Sequence, residues 1–538
     1  MLRRIALYPV IVVLLWSSLL VGSIGLTPSS ATAQTTEELL EDIQHKAFLY
    51  FWNEANPTNG LIRDRSQPGS PASIAAVGFG LSAICIAIDH GWVSRVDGRA
   101  RVLTTLNTFW TKPQGTAIGG IIGYKGLFYH FLDMNTGFRT WDSELSTIDT
   151  ALLMAGMLDA RQYFSTNDPL DLQVRDLADD LYERVDWEFM RNGQTRIMMG
   201  WKPNTGFGGF GVWQGYNEAM ILYLLALGSP TFPVPASTWT AWCNTYSWQT
   251  HYGYTYVNFP PLFGHQYSHC WVDFRYHRDP YMQSKGITYF ENSRRATLAQ
   301  REYCIDNPFN RIGYGEDLWG LTASDDPFGY SAHGAPPPQN DNGTITPTAA
   351  VSSIPFTPTE SIECMENMYF TYGGQLWGTY GFKDAFNLNN GWFATDFLGI
   401  DQGPIIMMIE NHLNGSIWNR FMDNPAVQLG LQRAGFIVAA DTSGDGPTLV
   451  WGDSRLLPNS PNPFRNESTI SYRLPEAGPV RLILEDVTGR QVRQLFDGRV
   501  DAGVHALDIT ADGLASGVYY YRLQQPGRTE RRACVVIR

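Results

Sequence analysis

Cysteine is scarce in this chain: six residues in 538, none in a C-x-x-C pair and none at metal-ligand spacing. That excludes a cysteine-built zinc site and gives no legible disulfide framework, so buried free thiols are the expectation. Charge is also thin. Charged residues make up 17%, and 39 Lys and Arg against 52 Asp and Glu leave a net charge of -13. With no basic run among aromatics, the chain offers nothing to a phosphate backbone, and nucleic acid is excluded as a partner. After the first 33 residues no apolar run approaches the roughly 20 residues that span a bilayer, so the mature protein is expected to have no membrane span. There is no G-x-S-x-G elbow, no H-E-x-x-H and no P-loop. No fixed repeat period marks a helical array. His265 and His269 stand four apart but lack a third ligand, so no metal and no cofactor are expected.

What is present begins with an export signal at residues 1–33. Arg3 and Arg4 precede an apolar run from Ile11 to Leu20, and Ala31-Thr32-Ala33 supplies small residues at the end. This pattern reads as a cleavable signal peptide and places the product outside the cell or on its surface. Hydrophobic residues are 44%, with 17 Trp, 26 Tyr and 28 Phe. Such a composition can bury a sizeable core and still leave flat faces on which the C–H face of a sugar can stack. The length predicts more than one domain, and a monomer is expected.

Residues 37–440 read as helices. Ser73 to Asp89, Ser146 to Phe164, Glu218 to Leu227 and Pro404 to Leu413 are nearly all apolar, while Leu170 to Met190 is amphipathic. Buried helices alternating with half-exposed ones suit a double ring. A turn-rich linker, residues 441–457, opens like a calcium loop but carries Gly452 where the twelfth-position acid should be. Residues 458–538 change to short alternating strands with turn residues between them, the pattern of an immunoglobulin-like sandwich.

Three acidic clusters stand at the mouths of apolar helices: Trp141-Asp142 to Asp149, Tyr216-Asn-Glu218 and Ile400-Asp-Gln402. In a ring of helices those mouths converge on one rim. Each acid also has a structural reading. Ser146 and Asp149 are spaced as a capping box, Glu218 lies in a first helical turn, and Asp401 can cap the helix that Pro404 enters. A cap needs no aromatic neighbours, yet Trp141, Trp213, Tyr216 and Trp392 accompany these acids. Sugar hydrolysis needs one protonated carboxyl group and one carboxylate, with opposite pKa tuning. Glu218 as the acid would need burial or a nearby like charge, whereas Asp401 as the base carries no such conflict. Gln266, His269, Asn292, Arg294, Glu316, Asp317 and Asp326 are further hydroxyl-binding candidates on polar loops.

Ser143 to Leu153, Tyr216-Asn-Glu-Ala-Met220, Leu318 to Asp325, Thr346 to Ala350, Gly381-Phe-Lys-Asp-Ala-Phe386 and Gly399-Ile-Asp-Gln-Gly403 resemble the bacterial glucoamylase-like family, which includes endo-β-1,2-glucanases of glycoside hydrolase family 144. The resemblance implies an (α/α)6 toroid and inverting, cofactor-free hydrolysis of β-1,2-glucan. It makes Glu218 the general acid and Asp401 the general base, with Trp141, Asp142, Glu144, Asp149 and Gln402 around the sugars. Thr231 to Pro260 matches no motif of that family and leaves the linkage open. At the other end, Asn459-Ser-Pro-Asn-Pro-Phe464, Asp486-Val-Thr-Gly-Arg490 and Leu514-Ala-Ser-Gly-Val-Tyr-Tyr520 resemble the sorting domain of the type IX secretion system, which implies that machinery as a partner. The alternatives are a transglycosylase using the same site and a surface glycan-binding protein without catalysis.

Overall fold

In the computed structural model, the described residues are 35–438, 455–456, 459, 462–474, 477–500 and 503–537. The signal peptide and most of the linker, including its calcium-like loop, lie outside them. The chain divides into two compact units, with the boundary between residues 439 and 440.

The first unit is helical. Its helices are α1 (Thr36–Asn53), α2 (Ile74–Asp89), α3 (Arg95–Thr111), α4 (Thr147–Tyr163), α5 (Pro169–Glu183), α6 (Met220–Gly228), α7 (Ser237–Cys243) and α8 (Phe263–Gln266). They continue with α9 (Pro280–Lys285), α10 (Tyr289–Asp306), α11 (Pro347–Val351), α12 (Pro358–Leu376), α13 (Gly399–Leu413), α14 (Ser416–Met422) and α15 (Pro425–Arg433). Burial alternates along this order. Every residue of α6 and α11 is buried, and α2, α4, α8 and α13 are buried on nearly all sides. The amphipathic α1, α3, α5, α10 and α12 bury one stripe each.

The buried set closes into a ring. Helix α2 packs on α4, α4 on α6, α11 on α13, and α13 back on α2. Between α6 and α11 the ring is carried by α8 and the short 3-10 turn after it, where Ser268 Oγ accepts from Ile221 N–H and donates to the Glu218 carbonyl. Gln266 Nε2 donates to the Ala349 carbonyl and to Ser353 Oγ. The toroid expected from alternating burial is therefore present as a ring of six buried elements with amphipathic helices outside it.

Two features hold the ring tight. Helices α2 and α4 cross at glycine: a Cβ on Gly156 would lie 2.0 Å from the Gly78 carbonyl oxygen, and one on Gly78 would lie 2.3 Å from the Leu152 oxygen. Only a residue without a side chain allows backbones so close. At the far end, Arg420 of α14 grips the fully buried Asp159 of α4 through two bonds of 2.7 and 2.9 Å. Breaking one side of such a pair costs about 3–5 kcal/mol, because the survivor is a buried, unpaired charge. All six cysteines are buried and free.

The second unit is all strand. Glu467–Leu474 lies between Arg455–Leu456 and Gly503–Thr510 in one antiparallel sheet. The other runs Gln491–Val500, Gly478–Glu485, Gly517–Gln525 and Arg528–Val536 in spatial order. Both sheets feed one apolar core, with Ile470 and Tyr472 from the first and Leu482, Leu484, Tyr521 and Leu523 from the second. The signature residues of this region do structural work. Asp486 Oδ1 accepts from the Thr488 and Arg490 N–H groups to shape a turn, and Asn462 Oδ1 accepts from Val535 N–H.

The glycine crossing generates a stability prediction. Gly156→Ala forces α2 and α4 apart and is expected to lower stability by about 3 kcal/mol, the upper end of overpacking costs, read as an earlier midpoint of the helical unit in urea unfolding.

Candidate active site

The segments leading into the buried helices are stitched together by short pairings. Ala72–Ser73, before α2, pairs with Phe131–Leu132; Leu145–Ser146, before α4, pairs with Gly200–Trp201. Met198 bridges Val212 on the approach to α6, Thr344–Ile345 pairs with Phe386–Asn387, and Arg65 bridges Leu398. The result is a collar around one rim, which gathers the mouths of α2, α4, α6, α11 and α13. The buried helices are largely apolar, and polar side chains gather at this edge and at the far end, where Asp159 and Glu410 are buried and paired.

Acids separated by nearly the whole unit meet there. The α4 mouth contributes Glu144 and Asp149, the α6 mouth Glu218, and the α13 mouth Asp401. His130 joins them, with Nδ1 at 3.0 Å from Glu144 Oε1 and Nε2 at 3.6 Å from Asp149 Oδ1. Burial opposes its charge, but Asp149, Glu144 and Asp64 outweigh that and raise its pKa to about 9. His130 is therefore an imidazolium at neutral pH. The other cation is Arg65, at 3.0 Å from Asp325, 3.3 Å from Asp396 and 3.7 Å from Asp64.

Glu218 is only partly covered, but its Oε2 is buried and has no hydrogen-bond partner. Burial, with the nearby Asp149 charge adding to it, raises the carboxyl pKa to about 7. The environment needed to keep Glu218 protonated is thus supplied by desolvation and by Asp149. Helix α6 starts on Ala219 with no side-chain cap, so Glu218 is not spent on capping. Helix α13 also lacks a side-chain cap.

Asp401 departs from expectation. It is buried, and burial followed by the charges of Asp384, Asp325 and Asp64 pushes its pKa well above the usual carboxylate range. Its partner is Asp384, itself raised to about 7, chiefly by burial. Asp401 Oδ2 and Asp384 Oδ1 are both buried oxygens without a donor, and one shared proton satisfies both. The two carboxyl groups act as a single unit carrying one negative charge, because two like charges in contact cannot both ionise. The other Asp384 oxygen accepts from the Asp325 N–H at 2.7 Å. The Tyr267 phenol senses both Asp401 and Glu218, and Tyr330, on the hairpin formed by residues 323–332, faces Asp401, Asp384, Asp64 and Asp325.

Half of the capping box expected of Ser146 and Asp149 forms, and the Asp149 carboxylate turns to the Ser146 hydroxyl. Ser146 Oγ caps α4 by accepting from Asp149 N–H, and donates to the Asp149 carboxylate at 2.5 Å. Trp141 stands at the rim, 68% exposed, with φ at +54° and its ring tilted on Phe131 at 5.0 Å. Beside it Asp142 is exposed and ion-paired with Arg139 and Lys202. Trp213 is buried and donates to Thr147 Oγ1, locking the α6 approach to the start of α4. Trp392 is half-buried in the strand pair that precedes α13.

Several expected sugar contacts lie elsewhere, for physical reasons. Gln266 is a strut inside the ring, and Gln402 donates to the Phe382 carbonyl from a buried position. Tyr216 is sealed among Tyr246, His265 and Tyr289. His269 is fully buried, bonded to Ser293 Oγ and surrounded by Phe274, Phe290 and Phe356. Burial lowers its pKa to about 3, so it is neutral. His265 Nε2 is engaged with the Phe259 carbonyl. Asn292 accepts from Val257 N–H, and Asp326 pairs with His333 and caps a turn at Phe328. Arg294 pairs with Glu291 on the outer helix α10, Glu316 pairs with Arg301 of that helix, and the Asp317 carbonyl accepts from Asn367 of α12. Conversely, Asp64, Arg65, His130, Asp325, Asp384 and Asp396 were not read as site residues. Asp325 and Asp384 close or occupy two of the motifs quoted above, so the signal for them existed; the others sit in loops with no local pattern.

Comparison with known proteins agrees with this geometry. Residues 211–425 match a family profile described as "Putative glucoamylase". An exo β-1,2-glucooligosaccharide sophorohydrolase (non-reducing end) of Parabacteroides distasonis is 34% identical over 433 residues, which are 74% of this chain and 58% of the relative; the chain thus spans somewhat more than half of that protein's length. The structure of an endo-β-1,2-glucanase from Chitinophaga pinensis, in complex with sophorotriose and glucose, superposes with a TM-score of 0.70 at 32% identity, covering 75% of this chain and 99% of that one. A β-1,2-glucanase structure from Parabacteroides distasonis gives a TM-score of 0.68 at 32% identity over 74% of this chain and 60% of that one.

The raised pKa of Glu218 has a sign that can be checked. A carboxyl group whose pKa is higher folded than unfolded supports the fold at low pH and loses that contribution as pH rises through about 7. Glu218→Gln removes the buried charge, so it is expected to raise the melting temperature at pH 8 by several degrees and to change it little at pH 4, as read by differential scanning calorimetry.

Proposed function

Because the chain belongs to the glucoamylase-like family, we propose that it is a glycoside hydrolase that cleaves β-1,2-linked glucan internally and with inversion. The observation that carries this reading is the presence at one rim of two buried carboxyl sites with raised pKa, Glu218, able to give a proton, and Asp384 with Asp401, whose shared proton leaves room for another. Relatives named for action on β-1,2-glucan or its oligosaccharides supply the substrate class.

In this mechanism Glu218 gives its proton to the glycosidic oxygen as the bond to the anomeric carbon breaks. A water molecule attacks that carbon from the opposite face. Its proton passes to the Asp384–Asp401 unit, which goes from one proton to two. Each turnover is completed when Glu218 regains a proton and the pair releases one. Against the opposing effect of burial, the hydrogen bond and charge of His130 hold the Glu144 carboxyl below its usual range, as an acceptor for sugar hydroxyls. Glu144 and Asp149 are the acceptors beside the acid, and Trp141 offers an apolar face to a sugar ring. The strand-rich unit acts as an export address for type IX secretion, as its three motifs suggest, and the enzyme works outside the cell on polymer.

Linear β-1,2-glucan should yield a ladder of oligosaccharides, and Glu218→Gln should lower kcat by about 10²–10⁴-fold, the usual contribution of general acid catalysis. Release of one disaccharide alone would replace the internal mode by an end-acting one. The first-formed anomer, read by proton NMR, should be α; a β product would remove the inverting assignment. The rate should fall above pH 7 as Glu218 loses its proton and at acid pH as the aspartate pair takes up its second. Deleting residues 458–538 in the native host should retain the protein inside the cell envelope, as judged by fractionation and immunoblot.

A further inference from the structure

The outer face of α3 carries a feature that the catalytic rim does not use. A furrow of about 610 Å³ runs beside this helix, lined by Thr104, Asn107 and Thr111 on one wall and Thr58 on the other, and it reaches Asn135. Asn135 also lines a second hollow, of about 290 Å³, that ends at Trp141. The two hollows share Asn135 in their linings, and Trp141 of the rim lines the second. From Trp141 the path to the chemistry is short. Its ring meets Phe131 at 5.0 Å, Phe131 stacks on His130 at 3.9 Å, and His130 touches Glu144 and Asp149.

We propose that this furrow is a second binding track for a neutral, hydroxyl-rich polysaccharide chain, which it feeds toward Trp141 and the rim. The proposal rests on the glycan-hydrolase reading for the identity of that chain, and on geometry for the track itself. The lining chemistry selects the ligand. Most of it is Thr and Asn, with one cation, Lys112, whose Nζ lies over the Phe138 ring at 4.9 Å. Nothing there suits an anionic polymer, and Leu103 is the main apolar contribution, so an apolar peptide fits no better.

The hydroxyls are also oriented in their hydrogen bonding. Thr104 and Thr111 donate to the carbonyls four residues back, at 2.9 and 2.7 Å, and the Asn107 amide donates to the Leu103 carbonyl at 2.8 Å. With the threonine hydroxyl protons and one Asn107 N–H occupied, what these side chains offer the furrow is chiefly acceptor lone pairs and threonine methyl groups, with one amide N–H to spare. A sugar chain presents the complement, O–H donors alternating with C–H faces. Thr104, Asn107 and Thr111 recur at one helical turn, about 5.4 Å, a step on the order of one hexose unit. At the far end Trp141 holds a positive φ, unusual for a bulky residue, while its side chain stays largely in solvent. Exposure of that ring is set by the backbone, as a stacking platform requires.

The experiment is affinity electrophoresis and calorimetry on the full chain carrying Glu218→Gln, with long linear β-1,2-glucan and a trisaccharide of the same linkage as ligands. Thr111→Arg and, separately, Thr58→Trp narrow the furrow from exposed positions on opposite walls. The expected result is a dissociation constant for the long glucan raised about tenfold, with the trisaccharide affinity moving less than twofold in the same variants. Equal losses for both ligands, or no loss for either in both variants, would overturn the proposal. Retardation by a different neutral glucan that the furrow variants abolish would sustain the track while overturning the β-1,2 reading of the rim. Retardation by an anionic polymer instead would overturn the track.

Discussion

A helix that is apolar on every side can be kept from water only if its neighbours surround it completely. Six such elements in one unit meet that demand by closing on themselves, with α13 packed back on α2. Closure then dictates the rest. The segments leading into α2, α4, α6, α11 and α13 are forced together at one edge, and their backbones pair into a collar. Side chains in those leading segments are the polar groups the ring can bring to a common point. The glycine contact between Gly78 and Gly156 belongs to the same requirement, since it lets adjacent members of the ring pack without a gap.

The collar concentrates acids beyond what its cations can neutralise. Arg65 binds three carboxylates and His130 lies between two. Among the described residues, Glu218 and the pair Asp384 with Asp401 have no ion-pair partner, and burial raises the pKa of each. Burial is the largest influence on all of these raised acids, and even Asp64, beside Arg65, is raised by it. It also has a thermodynamic side, because donor-less buried carboxyl oxygens lower stability where a hydrogen-bonded neutral group would not.

The periodicity of apolar residues made the ring legible, since uninterrupted apolar segments alternating with amphipathic ones have few other homes. The rim was legible in part. Glu218 and Asp401 could be singled out because both stand at helix mouths with aromatic neighbours, and the structure shows α6 and α13 without side-chain caps. Gln266 and His269 misled because Phe263 to Cys270 reads as a polar loop, while in the fold it completes the ring and spends its polar atoms on internal struts. Arg65 could not be read at all: its role depends on Asp325 and Asp396, 260 and 331 residues away along the chain. No local pattern encodes a meeting of that kind. Asp384 stood in plain view within a quoted motif, but a paired proton is a property of two residues and not of one.

The cysteines carry a consequence of a different kind. All six thiols are free, buried and pushed to higher pKa by desolvation. As thiolates are the species that exchange and oxidise, groups held in this form are inert on both counts. The folded units contain no covalent cross-link whose formation must be timed. Their maturation is thus indifferent to the reducing or oxidising poise of the surroundings, and a chain that acquires its shape after changing compartments needs no oxidase or isomerase waiting on the far side.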